Sequence, residues 1–358
     1  MRLSNRSLGV ATLFACASLP LGFFGCAREG SSSGKSESTG TSQAALSGTV
    51  VVPWGGSEGL SFHPGGDESA TRGPSAFAFA RRGDGFLVLD GLAHRMVGVT
   101  ATGVTSVVVP ELPRDADSFA VSPEGELAVH RAISAQIDLF GAKGQRTGSV
   151  PVPMEARDAT VVHALSQGRI MLEHPFQERY LLGSPNVPRQ PELVVPTRRE
   201  GIAADFSTTG YEIVVRHPEG EEAPTVVGRA IPRAGSHAYL LEATPTGEPA
   251  EHGTLPYRTK QLLDLGETTS ARIVGIVGGQ ACVVLEHVDL AASAVHVERE
   301  IAVVDLANAQ LVGRIAIETP TLYTLRQEFA FDGKRIGQAL PTQDGLTIRT
   351  IAMSEVTK

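Results

Sequence analysis

Five short apolar runs end in a polar side chain a few residues after a glycine: Asp90, His130, His174, His217 and His287. Neutral imidazole is a common metal ligand, and several imidazoles around an open coordination position make a hydrolytic zinc centre. Four of the ten histidines occupy this place in separate segments. A zinc site built from His130, His174, His217 and His287 is therefore one expectation. The competing reading is turn chemistry without any cofactor. The offset from the glycine grows from 5 residues at Asp90 to 8 at His287, and His174-Pro175 and His217-Pro218 are ordinary turn starts.

A second group suits recognition rather than catalysis. Trp54, the only tryptophan, sits in Pro53-Trp54-Gly55-Gly56, and His63 lies in a Gly- and Pro-rich stretch ending Asp67-Glu68. Asp90, His94 and Arg95 cluster at one turn. Each has a structural alternative: Trp54 packs, and His94-Arg95 hydrogen-bonds within its turn. The acidic run near Glu219–Glu222 matches no calcium loop, and Gly278-Gly279 lacks the strand-to-helix setting of a phosphate cradle.

The elements that would position these groups repeat. Ala76–Phe79, a turn at Asp84-Gly85 and Phe86–Asp90 make one unit. Similar pairs surround glycines 125, 168, 210, 279 and 333, spaced by 40, 43, 42, 69 and 54 residues. Four-stranded propeller blades repeat at about 40–50 residues. The expectation is an all-β, six-bladed β-propeller. Insertions at 217–262 and 286–300 would absorb the long steps, and each turn glycine would adopt positive φ. A seventh, degenerate blade near Ser236–Glu242 is the alternative. Tyr257–Leu265 is the one modest helical candidate. The early strand Thr49–Val52 is expected to close the ring on the last strands, around Leu346–Met353.

Within residues 73–103, Gly73-Pro74-Ser75-Ala76-Phe77-Ala78-Phe79, Gly83-Asp84-Gly85, Phe86–Asp90 and Ala93-His94-Arg95-Met96-Val97 resemble the NHL repeat of six-bladed, TolB-like propellers. Ala93 stands where that pattern has Asn, and residues 118–147 match less closely. The resemblance implies architecture, not an active site. NHL-type lyases, among them peptidylglycine-amidating lyase, are similar to the zinc reading in carrying metal-bound histidine on a propeller.

The N-terminus reads as an address. Arg2 and Arg6 precede an apolar stretch ending Phe23-Phe24-Gly25-Cys26, which resembles a bacterial lipobox with Cys26 as the acylated residue. Residues 27–43 contain 11 Ser, Gly or Thr and no Leu, Ile, Val or Phe, a composition that buries too little apolar area to order itself. The expected division is a signal peptide over 1–25, a tether over 26–46 and a propeller over 47–358. Three cysteines exclude a disulfide scaffold. With 31 Lys+Arg against 39 Asp+Glu, the net charge of -8 disfavours nucleic acid as a partner. The combined expectation is an outer-membrane lipoprotein of the bacterial envelope that binds a protein, peptide or carbohydrate through one ring of loops. A metal-dependent lyase or hydrolase is the alternative.

Overall fold

The computed structural model describes residues 48–66, 69–80, 85–157, 159, 161–164, 169–173, 178–182, 192–196, 210–216, 235–246, 257–289 and 296–356. Cys26, the tether, the 46/47 boundary, His174 and His217 lie outside the described residues.

The described chain is almost entirely strand. After β1 (Gly48–Pro53), the first full sheet runs in chain order as β2 (Ala76–Phe79), β3 (Gly85–Asp90), β4 (Arg95–Thr100) and β5 (Thr105–Val109). The second contains β6 (Ala116–Val121), β7 (Leu127–Arg131), β8 (Gln136–Phe140) and β9 (Arg146–Pro151). The third contains β10 (Val161–Ala164), β11 (Ile170–Glu173), β12 (Glu178–Leu182) and β13 (Glu192–Pro196). Three described strands form the fourth: β14 (Gly210–Arg216), β15 (His237–Pro245) and β16 (Tyr257–Glu267). The fifth has β17 (Ser270–Val277), β18 (Gln280–Asp289), β19 (His296–Asp305) and β20 (Gln310–Ile317). The sixth has β21 (Phe329–Phe331), β22 (Arg335–Pro341) and β23 (Gly345–Ala352), with β1 as its outermost strand.

The burial pattern explains the stacking. β3 is buried at every position, because both faces of an inner strand meet neighbouring sheets, whereas the outermost β5 leaves Ser106 and Val107 exposed. Phe77, Val88 and Val97 face the sixth sheet, and Leu87, Leu89 and Met96 face the second. Further cores join the second sheet to the third, the fourth to the fifth and the fifth to the sixth. Along the inner edge β2 packs on β6 and β6 on β10; β17 packs on β21 and β21 on β2. This is the expected propeller.

The expected closure is present. β1 pairs antiparallel with β23 from Gly48↔Thr350 to Pro53↔Gly345. It inserts Val50 and Val52 into the core between the sixth and first sheets, each contributing about 1.5–3 kcal/mol on burial.

Three expectations change. Tyr257–Leu265 is not helical; it lies in β16, where pairing with β15 outweighs local propensity. His237–Glu242 lie within β15, the middle one of the three described strands of the fourth sheet, rather than in a sheet of their own. Positive φ holds at Gly125, Gly279 and Gly333 but not at Gly85, which begins β3. There a Cβ would lie 2.1 Å from the Val99 carbonyl oxygen, so close backbone approach demands the glycine. Ala203–Phe206 and Gly168 lie outside the described residues.

Two ends of the ring follow from the register. The upper face carries the turns after β3, β7 and β22 and the links between sheets, including 54–75 and 318–328. The lower face carries turns such as 122–126 and 332–334. Because Pro53 pairs beside the β22–β23 turn and Gly48 at the far end of β23, the chain joins the ring at its lower face.

Candidate functional site

On the upper face of the first sheet, Asp90 is fully buried at the end of β3. Its Oδ2 accepts hydrogen bonds from the Ser61 amide at 3.1 Å and Arg95 Nε at 3.0 Å, while Arg95 Nη2 donates to Gly59 O at 2.7 Å. These bonds fasten the 54–75 link to the blade. Trp54 Nε1 donates to Thr342 O at 2.8 Å, and its ring stacks on Phe62 at 4.7 Å, with Tyr323 beyond Phe62 at 6.5 Å. His63 is exposed; it bridges Arg72 through the backbone and meets Ser69 Oγ through Nε2 at 3.0 Å. His94 takes φ 53° in the turn and its carbonyl accepts from the Leu112 amide at 2.6 Å. Trp54, Asp90 and Arg95 thus act together as a fastening, with His63 outside it.

The second sheet carries a different group. A β-bulge between Ala116 and Ser118 inserts Asp117 as an extra residue. Bulges redirect side chains, and here Asp117 Oδ1 meets His130 Nδ1 at 2.8 Å. Asp117 Oδ2 accepts from Arg326 Nη1, which arrives from the start of the sixth sheet. Arg326 is followed by Gln327, whose amide donates to Ser75 O at 3.3 Å, beside the first strand of the first sheet. The Arg326–Asp117 contact therefore passes over the first sheet at the rim of the axial opening. His130 is buried, and that burial pushes its imidazole below the ordinary value of 6.5, only partly opposed by the charge of Asp115. At neutral pH the depressed ring is uncharged, and because the Asp117 carboxylate can only accept, Nδ1–H is the donor of this contact.

Beside it, Arg131 donates to Asp115 at 3.0 Å and to Ser134 at 2.8 Å. Burial alone would raise the Asp115 carboxyl, but bonds from Ser134 and Arg131 hold it at about 2. Register shows that Asp90 and His130 are not equivalent. Counting from the pairs Phe79↔Phe86 and Val121↔Leu127, Asp90 corresponds to Arg131 and His130 to Leu89.

His287 sits on β18 with Nε2 at 3.6 Å from Glu300 Oε1. It alternates with Val283 and Leu285 toward the fourth sheet, whereas His130 alternates with Ala128 toward the third. The two described histidines of the proposed zinc set thus face opposite ways around the ring, backward from the fifth sheet and forward from the second. Among the described residues no group of three His, Cys, Asp or Glu side chains is arranged to hold a metal ion.

Two features escaped the sequence reading. Arg299, on β19, makes paired bonds to Glu328 at 2.8 and 2.9 Å, with Gln338 Nε2 at 2.8 Å from the same carboxylate and Glu286 at 3.1 Å from Arg299 Nε. The other is a set of exposed apolar side chains on the upper face: Leu92 (39%), Ile133 (88%) and Met154 (73%), in turns or links of the first three sheets. Their signal was a bulky apolar residue inside a polar turn.

No protein-family model matches the chain, and no curated protein matches it. Solved structures of similar chain path include hydrazine synthase of Kuenenia stuttgartiensis, at 13% identity over 77% of this chain and 76% of that one, with a TM-score of 0.46. A gluconolactonase of Xanthomonas campestris has 13% identity over 84% and 97%, TM-score 0.44. A member of the DUF4221 family from Bacteroides vulgatus has 8% identity over 86% and 96%, TM-score 0.45.

Proposed function

We propose that this chain is a lipid-anchored envelope propeller that binds a protein partner on its upper face. The observation that carries this is the trio Leu92, Ile133 and Met154, exposed apolar side chains in the upper turns of the first and second sheets and in the link to the third. Apolar area that gains nothing from the fold gains on association. Cys26 and the tether support the anchor. A Ser- and Gly-rich segment of about 20 residues reaches on the order of 25 Å, and it leads to Gly48 on the lower face.

The test is cross-linking of the full chain in its native envelope, followed by identification of the attached protein. Paired Ile133→Asp and Met154→Asp substitutions should abolish the cross-link without lowering the melting temperature. An unchanged cross-link would sink the assignment of this face. Cys26→Ala should move the protein out of the membrane fraction.

A metal-dependent lyase or hydrolase is the second reading, and one observation favours it. A carboxylate on Nδ1 is the contact that orients zinc-binding imidazoles, and His130 has it from Asp117. Metal analysis of protein purified from native membranes tests it; stoichiometric zinc is the result it requires.

A further inference from the structure

Arg326 is built unlike Arg95, Arg131 and Arg299 and shares its one-sided hold on a single carboxylate oxygen with Arg272, whose Nη2 lies 3.5 Å from Glu328. Arg95, Arg131 and Arg299 each spread two or more nitrogens over carboxylates, hydroxyls, an amide oxygen or carbonyls. Arg326 uses Nη1 alone, on one oxygen of Asp117, among the described residues. Its side chain is 44% exposed, and burial of the remainder lowers its guanidinium from the ordinary value. Asp117 has a second partner, since Oδ1 also meets His130. A guanidinium presents its donors as a planar fork that matches the two oxygens of a carboxylate. Here the fork stands at the rim of the axial opening with most of its donors unspent.

Three other carboxylates of the second and sixth sheets are bound to other groups. Asp115 is bound by Arg131 and Ser134, Asp138 by Arg146 at 2.6 Å, and Glu328 by Arg299 and Gln338. Among the described residues Asp117 is the carboxylate that holds Arg326, and so the one an incoming anion meets there.

From this geometry we propose that Arg326 is the receptor for a carboxylate group of a ligand bound at the upper mouth of the channel, with Asp117 as the internal placeholder that the ligand displaces or shares. The shared chemistry is the carboxylate; it can belong to a small free acid or to the C-terminus of a peptide. This site is separate from the apolar turns and stands or falls independently of them.

The test is calorimetric titration of the purified full chain with succinate and with acetyl-Gly-Leu-Phe, the peptide in free-acid and in amidated form. At least one of the two acids should bind with one-to-one saturation, and the amidated peptide should bind at least about tenfold more weakly than its acid if the peptide is the ligand. Saturation by succinate assigns a small acid, and saturation by the peptide acid alone assigns a chain terminus. Arg326→Gln should weaken binding by about tenfold or more. Asp117→Asn should strengthen it, because the competitor loses its charge. Circular dichroism of each variant separates a lost site from a lost fold. Failure of both acids to saturate, equal binding of peptide acid and amide with no binding of succinate, or undiminished binding by a folded Arg326→Gln protein overturns the proposal.

Discussion

Arg299 offers the sharpest test of how the fifth and sixth sheets are held together. Its side chain is 4% exposed and that of Glu328 1%. The paired bonds between them cross from β19 to the start of the sixth sheet, and Gln338 on β22 completes the carboxylate's shell. Burial opposes the charge on Arg299, yet Glu328 and Glu286 hold its guanidinium above the ordinary value. Arg299→Ala would leave Glu328 charged, buried and supported only by the Gln338 amide and by Arg272 at 3.5 Å. Stranding one half of a buried pair costs about 3–5 kcal/mol. The double change Arg299→Met with Glu328→Leu removes both charges and preserves volume, so it should return to within about 1 kcal/mol of the parent. Urea denaturation followed by Trp54 fluorescence is the assay, because Trp54 donates to Thr342 in the sixth sheet. A loss below about 1 kcal/mol for Arg299→Ala, the scale of an exposed pair, would refute the reasoning.

Other expectations follow from single positions. Gly144 has φ 80°, and a Cβ there would lie 1.9 Å from Val108 O, whereas Gly278 has φ 56° with open space around it. Gly278→Ala should cost about 1 kcal/mol of backbone strain and Gly144→Ala clearly more, measured as the difference between their denaturation midpoints. Burial pushes the Cys282 thiol up to about 12, so at pH 8 roughly one molecule in 10⁴ holds a thiolate. Mass-spectrometric mapping should find Cys282 unlabelled by iodoacetamide until denaturant is added. His130 is depressed below 6.5, so the unfolded chain binds the extra proton first. Its stabilising effect is whole above 6.5 and lost as pH falls through the folded-state value. His130→Leu, which installs the residue type of Leu89, should remove that acid-side loss between pH 7.5 and 5. Asp115 does not confuse this window, because its own contribution is lost only between 3.8 and about 2.

Repeated apolar pairs and turn glycines made the ring legible, with Thr49–Val52 as an early strand left over to close it; that Val50 and Val52 face inward while Val51 faces out came only with the pairing to β23. What the repeat could not supply was parity. Asp90 and His130 look equivalent when counted from glycine, but β3 starts at Gly85 itself and β7 two residues after Gly125. That offset puts the two side chains on opposite faces of their sheets. Arg326 and Glu328 were invisible for another reason. Their partners Asp117 and Arg299 come from other sheets, 209 and 29 residues away, and no local pattern reports such a meeting. Tyr257–Leu265 misled because its spaced leucines suit a helix as well as a long strand with irregular pairing.

The closing strand has a bearing on biosynthesis. β1 is the first strand of the ring to be synthesised, yet its partner β23 comes some 300 residues later, at positions 345–352. Until that hairpin has emerged, Gly48–Pro53 has no edge to join, and contacts this distant in sequence are slow to form. A chain delivered amino end first must therefore wait, with its sixth sheet unfinished, for its own final strands. A stop codon before Gly345 would leave two raw sheet edges rather than a smaller wheel, a species prone to self-association and an easy substrate for quality-control proteases.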